Sequence, residues 1–212
     1  MTRLYLVRHG ETDWNRARRI QGSTDIPLND TGRAQALDTA RLLSRRSFDR
    51  VVASPLSRAL ETGSIIASHL GLAEPEIDPG MIERNYGEAE GFTFEDIALH
   101  FPDDAPVPGR ERRSVLRARV EAALLGIAER HPGETVVVAT HGAVIRAIVN
   151  HISPETSADR SVPIRNGSIH SFDVIDGALS LIAFDDPIEV ESEAAGRYSF
   201  EYQNALEGRA DA

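Results

Sequence analysis

The sequence predicts an α/β protein with a mainly parallel sheet, helices on both faces and a closing antiparallel hairpin. Three observations carry this. The apolar runs Leu4–Val7, Val51–Ala53 and Thr135–Ala139 are continuous rather than alternating, as in strands buried on both faces. Helical patterns lie between them, and strands that alternate with helices imply parallel neighbours joined by crossovers. Near the end, the β-rich stretches 168–174 and 178–184 flank Ile175-Asp176-Gly177. Asp-Gly between two such runs is a strong hairpin signal.

The elements follow in order. Leu4–Val7 is the first strand and runs straight into Arg8-His9-Gly10-Glu11-Thr12. Thr31–Arg46 is a helix; it opens on the turn-like Asn29-Asp30-Thr31-Gly32 and sets Ala34, Leu37, Ala40, Leu42 and Leu43 on one face. The second strand, Val51–Ala53, leads into Ser54-Pro55-Leu56-Ser57-Arg58. Pro55 suits the first turn of a helix reaching Leu70, with Leu56, Leu60, Ile65, Ile66 and Leu70 as its apolar residues. Glu76-Ile77-Asp78 is a short fourth strand. The stretch from Phe101 to Arg113, rich in Pro and charge, reads as a loop. Val115–Arg130 is a long helix with Leu116, Val120, Ala123, Leu124 and Ile127 inside. The third apolar strand ends in Thr140-His141-Gly142, and a last helix covers Gly142–His151.

A chain of 212 residues can bury a full core, and no repeat or low-complexity linker divides it. The expected organisation is one domain over 1–184 and an acidic C-terminal tail over 185–212. From Asp185 onward eight carboxylates face two arginines, which accounts for more than half of the net charge of −10. Such a tail reads as solvated. The negative charge argues against general nucleic-acid binding. No stretch approaches the roughly 18 apolar residues of a membrane span, and the N-terminal apolar run is too short for a signal peptide. The cytoplasm is the default expectation. The chain has no cysteine, which excludes thiolate and disulfide chemistry. All 23 basic residues are arginines, which removes a Schiff-base or Walker A lysine.

In an open α/β sheet, ligands bind outside the carboxyl ends of the strands. Polar clusters at three such ends therefore converge on one pocket, holding Arg8, His9, Arg58 and His141. Two guanidiniums define an anion site suited to phosphate or carboxylate, and they repel a metal cation. Helix N-termini after the second and third strands add backbone N–H donors. A neutral imidazole beside two arginines is a competent nucleophile toward phosphorus. Arg8, Arg58 and a protonated His141 would then stabilise the transferring group. The leaving alkoxide needs a proton, and a carboxyl group is the natural donor. Glu83 lies past the short fourth strand, but composition alone does not choose it over Glu11, Glu61, Glu88 or Glu90.

With these residues in view, the chain resembles the histidine phosphatases of the phosphoglycerate mutase-like branch. The likeness runs through Arg8-His9-Gly10-Glu11-Thr12, Asn15, Gln21-Gly22, Pro27-Leu28-Asn29, Gly32, Gln35-Ala36, Ser54-Pro55-Leu56-Ser57-Arg58-Ala59, Glu61-Thr62, Glu83-Arg84, Tyr86-Gly87-Glu88, Glu90-Gly91 and Thr140-His141-Gly142. It covers roughly residues 3 to 184. The resemblance implies a three-layer α/β/α sandwich and no metal or other cofactor. It makes His9 the phosphorylated nucleophile, Glu83 the proton donor, and Arg8, Arg58 and His141 the phosphate pocket, with Asn15 assisting. Gln21, Gly22, Arg84, Tyr86 and Gly142 would meet the rest of the substrate. The implied partner is a small phosphorylated metabolite, with oligomeric state left open.

Mutases of the branch grip a three-carbon acid through an Arg-Arg-Ser in a long insertion. This chain has Arg112-Arg113-Ser114, but it runs directly into a helix, and the Glu83–His141 gap is short. The expectation is therefore a phosphomonoesterase, with a bisphosphate-dependent phosphoglycerate mutase as the alternative. A non-catalytic phosphate-binding module is set aside because His9, Glu83 and His141 are all intact. His69, His100, His131, His151 and His170 read as ordinary structural histidines, and Trp14 as a packing residue. Asn166-Gly167-Ser168 suits a pocket-lining loop or a plain turn.

Overall fold

A computed structural model describes residues 1–102, 105–153 and 163–188. Its centre is a six-stranded sheet in the order β3-β2-β4-β1-β5-β6. The strands are β1 (Thr2–Arg8), β2 (Arg50–Ala53), β3 (Glu76–Ile77), β4 (Thr135–Thr140), β5 (Ile169–Ile175) and β6 (Ala178–Ala183). β1, β4, β2 and β3 are mutually parallel, whereas β5 pairs antiparallel with both β1 and β6. Asp176 and Gly177 form the two-residue hairpin loop, both at positive φ (50° and 76°), the backbone an Asp-Gly type I′ turn requires. The expected three-layer architecture with a terminal hairpin is what the chain adopts.

Strand alternation splits the core between the two faces. Leu4, Leu6, Val136, Val138 and Phe172 point to one side, where α5 (Arg113–Arg130) and α6 (Gly142–Ile152) lie. Tyr5, Val7, Val51, Val137 and Ile169 point to the other, under α2 (Asp30–Leu43) and α3 (Ser57–Leu70). In α5 the buried residues Leu116, Val120, Leu124 and Ile127 recur at helical spacing, as the sequence suggested.

Two helix faces differ from expectation. α2 buries Gly32, Ala36, Thr39, Ala40 and Leu43, while Ala34 is exposed. α3 buries Arg58, Ala59, Thr62, Gly63, Ile66 and Ala67. The cause in α3 is its small-residue stripe: a Cβ on Gly63 would stand 3.3 Å from those of Ala53 and Ala139, so the helix lies close on the sheet. Close approach by small residues outweighs the larger Leu60 and Ile65, which stay half-buried. Pro55 precedes α3 rather than opening it, because Leu56 is the N-cap. The missing side-chain cap comes from a distant loop: Ser57 N and Oγ both donate to Asp25 Oδ1, at 2.8 and 2.7 Å.

Two short helices were not anticipated, α1 (Asp13–Arg16) and α4 (Phe94–His100), each opened by a threonine capping box. The boundary at 184 also moves. Asp186 N donates to Ile169 O and Ile188 is fully buried, so residues 185–188 belong to the fold. The rest of the anticipated acidic tail lies outside the described residues. Among the described residues no helix is long and apolar enough to cross a membrane.

Candidate active site

The carboxyl ends of β1, β2 and β4 carry most of the candidate residues. Arg8 ends β1 and His9 follows it; Ser54 follows β2; His141 follows β4 and is the N-cap of α6. Arg58 stands in the first turn of α3. Glu83 comes just after β3 and a 3-10 turn over Pro79–Met81. All five expected catalytic residues are buried, and Arg8 and Arg58 act electrostatically on His9, Glu83 and His141 alike. The rings of His9 and His141 are 5.2 Å apart.

His9 is fixed in one tautomer. Its Nδ1 lies 2.7 Å from Gly10 O, and a carbonyl can only accept, so Nδ1 carries the proton and Nε2 holds the lone pair. Burial, with Arg58 and Arg8 adding to it, pushes the imidazole well below its ordinary pKa, so it is neutral with a free lone pair on Nε2. The supporting backbone is tight. A Cβ on Gly10 would sit 2.2 Å from Gly32 O, and one on Gly32 would sit 2.1 Å from Glu11 O. Gly10 N donates to Thr62 Oγ1 (3.1 Å), one turn after Arg58 on α3. Residues 164–168 wrap Arg8 and His9: Asn166 Nδ2 donates to His9 O at 2.8 Å, Arg8 Nη1 to Ile164 O at 2.6 Å and Gly167 N to Arg8 O at 3.0 Å. Asn166-Gly167-Ser168 is thus both a turn and a wall of the site.

The two arginines are poised for an anion. Arg58 donates Nη1 to Thr24 O and Nη2 to Gly22 O, at 2.9 and 2.7 Å. Among the described residues, Arg8 Nε, Arg58 Nε and His141 Nδ1 are buried without a partner. Burial lowers the Arg8 pKa to about 10 and that of Arg58 in the same direction, yet both remain cations at neutral pH. Buried cations with unmet donors are costly unless an anion completes them.

Glu83 is distinguished from its competitors by burial. Its carboxyl accepts from Arg84 N (2.9 Å) and Ala143 N (3.3 Å), yet burial outweighs these bonds and the nearby arginines and raises its pKa. That is the direction a proton donor needs. Arg119, from α5, steadies this loop by donating to Gly80 O and Ile82 O at 2.8 and 2.9 Å.

His141 differs from expectation in charge. Burial first, then Arg58, His9 and Arg8, push it well below its ordinary pKa, so it stands neutral here rather than as an imidazolium. Its Nε2 lies 2.7 Å from Ser54 Oγ.

The remaining predicted residues are more structural. Asn15 Oδ1 takes the Thr12 N–H in the α1 cap, and Gln21 Oε1 accepts from Thr12 Oγ1 at 2.9 Å. Gly22, at φ +56°, serves Arg58 through its carbonyl. Arg84 is fully buried rather than at a mouth, with Nε and Nη2 on Glu111 O at 2.9 and 2.8 Å and its guanidinium 5.4 Å from the Tyr86 ring. Gly142 opens α6. Arg112 caps α5 and Arg113 is its first residue. His170, buried between Ser168 Oγ and Asp185 N, is the structural histidine expected. Trp14 packs: a Cβ on Gly91 would stand 3.2 Å from its ring.

Sequence reasoning weighed Glu90 only as one of several candidate proton donors and missed its part in holding a loop. Its carboxylate accepts from Ser23 N and Oγ, Thr24 N and Oγ1, and Tyr86 N. It thereby clamps the very loop whose carbonyls hold Arg58. Its place in Glu90-Gly91 gave no sign of this holding role.

Comparison with known proteins completes the picture. Residues 4–187 match the model of the histidine phosphatase superfamily (branch 1). The chain is 41% identical over 165 residues to an uncharacterized phosphatase, PhoE, of Bacillus subtilis, covering 76% of this chain and 84% of that protein. It is 38% identical over 186 residues to phosphoglycerate mutase-like protein 4 of Arabidopsis thaliana, covering 82% and 80%. Among solved structures it is similar to the phosphoserine phosphatase of Entamoeba histolytica, crystallised as a histidine-to-alanine mutant with phosphoserine. Identity there is 30% and the TM-score 0.74, over 88% of this chain and 98% of that one. A further crystal structure of that amoebal enzyme holds 3-phosphoglyceric acid.

Proposed function

The chain belongs to branch 1 of the histidine phosphatase superfamily, and from that premise we propose that it hydrolyses small phosphomonoesters through a phosphohistidine on His9. The observation that carries the reading is the pairing of a bare, neutral Nε2 on His9 with buried guanidiniums whose Nε donors have no partner among the described residues. A phosphoryl group satisfies those donors and presents its phosphorus to Nε2.

The chemistry follows from the geometry. Nε2 of His9 forms the N–P bond as the ester P–O bond breaks, and Arg8 and Arg58 spread the charge of the transferring group. Glu83 gives its proton to the departing oxygen. Water then attacks phosphorus, Glu83 takes back a proton, the N–P bond breaks and inorganic phosphate leaves. No step calls for a metal ion, and among the described residues no cluster of three or more His, Asp or Glu is arranged to hold one. Asn15, Gln21, Gly22, Arg84, Tyr86 and Gly142 would shape the substrate side, Gly22 and Arg84 through the parts they hold. The phosphoserine and 3-phosphoglyceric acid seen in the amoebal neighbour point to small phosphorylated metabolites.

Arg112-Arg113-Ser114 at the start of α5, with the mutase-like relative, supports a second reading: a phosphoglycerate mutase primed by a bisphosphate. One experiment separates the two. The enzyme is incubated with EDTA, 3-phosphoglycerate and a trace of 2,3-bisphosphoglycerate, with p-nitrophenyl phosphate in parallel. Phosphate release without isomerisation is expected; rapid 2-phosphoglycerate formation with little phosphate would establish the mutase. Loss of turnover in EDTA would overturn metal independence. His9→Ala should abolish turnover while retaining anion binding, and persisting activity would sink the mechanism.

A further inference from the structure

The hydroxyl of Ser54 has no exposed surface and two described polar neighbours. Leu56 N donates to its Oγ at 3.3 Å, and His141 Nε2 lies 2.7 Å away. A backbone N–H can only donate, so the hydroxyl proton has one acceptor left, the Nε2 lone pair of His141. A buried hydroxyl proton without an acceptor is costly, which favours this arrangement over one in which Ser54 accepts twice. We propose that Ser54 is a positioning residue that holds His141 as the neutral Nδ1–H tautomer, so that His141 serves the phosphoryl group as a hydrogen-bond donor without being an imidazolium.

The unpartnered Nδ1 of His141 then carries a proton, and its ring lies 5.2 Å from that of His9. Both histidines are Nδ1–H tautomers put to opposite uses. His9 spends its N–H on Gly10 O and shows phosphorus a bare nitrogen. His141 covers its bare nitrogen with Ser54 and shows a phosphoryl oxygen an N–H. This also removes a difficulty: an imidazolium at His141 would add a third positive charge beside Arg8 and Arg58 in the empty pocket.

The inference rests on the phosphatase reading for its catalytic meaning, but the tautomer is a property of the resting protein. Long-range 1H–15N spectra of uniformly 15N-labelled enzyme at pH 7, with His141→Gln to assign the ring, read it directly. The expected pattern is a protonated Nδ1 and an unprotonated Nε2. An imidazolium or an Nε2–H tautomer would overturn the proposal, whatever the activity. In Ser54→Ala the ring should shift toward Nε2–H. Its kcat on an alkyl phosphate should fall roughly tenfold, less than the roughly 10²–10³-fold loss when a donor is removed outright. Ser54→Thr, which keeps the hydroxyl, should retain the wild-type ring pattern. If Ser54→Ala keeps both the ring pattern and kcat, Ser54 sets nothing. If the wild type shows the expected pattern but releases no phosphate from any monoester, the phosphatase reading fails and the tautomer assignment stands.

Discussion

Replacing Gly10 with alanine tests how rigidly the nucleophile is seated. The new Cβ would stand 2.2 Å from Gly32 O and 2.7 Å from Gly32 C, both backbone atoms that no side-chain rotation relieves. Ordinary contact begins at about 3.4 Å, so the loop after β1 and the start of α2 must part by about 1 Å. Gly10 is bonded to both ends of the site, through its carbonyl to His9 Nδ1 and through its N–H to Thr62. The shift therefore reaches the attacking nitrogen. A misplacement of about 1 Å costs roughly 10²-fold in rate, or about 2.7 kcal/mol. Overpacking should also destabilise the fold by about 2 kcal/mol, a fall of roughly 4–8 °C in Tm for a chain of this size. The assay is kcat/KM on p-nitrophenyl phosphate beside a thermal melt. Gly126→Ala is the control, because its Cβ meets only Arg130 Nη1 at 3.4 Å. There activity should hold and Tm should not fall. Wild-type activity and Tm in Gly10→Ala would refute the idea that this seam sets the position of His9.

Other predictions follow from the site. Glu83→Gln should slow alkyl phosphates by roughly 10³-fold but aryl phosphates far less, since their leaving groups need little help; equal losses would remove Glu83 from the donor role. Because burial raises the Glu83 pKa and the donor form is the protonated one, turnover of alkyl phosphates should fall as pH rises through that pKa. The same limb should be missing from the Glu83→Gln profile. Glu90→Gln should loosen the loop holding Arg58, weakening inhibition by inorganic phosphate and costing about 1–2 kcal/mol of stability at neutral pH. The Glu90 pKa is lowered on folding, so its contribution is full above the ordinary carboxylate range and lost as pH falls through the depressed value. A stability gap to the variant that persisted under strong acid would contradict this. His9, His141 and His170 are all buried neutral, His170 with a pKa of about 3. The unfolded chain binds protons that the native state refuses, so denaturant midpoints should drop as pH falls from about 6.5 toward 3. The slope should be shallower in His170→Asn, and a slope as steep as that of the wild type would assign the effect elsewhere.

Much of the fold was legible because buried parallel strands announce themselves. Leu4–Val7, Val51–Ala53 and Thr135–Ala139 each became a strand, and Asp176-Gly177 turned as that dipeptide turns. What failed has one physical cause: burial decided by close approach rather than by apolarity. Arg58 and Thr62 face inward on α3 because the adjoining Ala59 and Gly63 let the helix lie against the sheet. Hydrophobicity assigns the interior to Leu60 and Ile65 instead. The site was legible as a convergence of strand ends, and Arg8, His9, Arg58 and His141 do converge. Glu83 could not be chosen from composition, since the choice depends on which carboxyl is buried beside the arginines. The charge of His141 was beyond reach for the same reason: a pKa is a property of surroundings that sequence position does not contain.

His9 follows directly on a strand whose neighbours are supplied late. β1 pairs with β4, where Arg3 faces Thr135, and with β5, where Thr2 faces Val174. On a ribosome the first strand emerges well over a hundred residues before either partner, an interval on the order of ten seconds. Until then it is an apolar segment with both hydrogen-bonding edges open, the kind that invites aggregation or a chaperone. Loops of this length also make the central pairing slow to close. Activity should therefore appear in one late step during refolding, and a fragment ending before β4 would carry His9 on a strand with no partner.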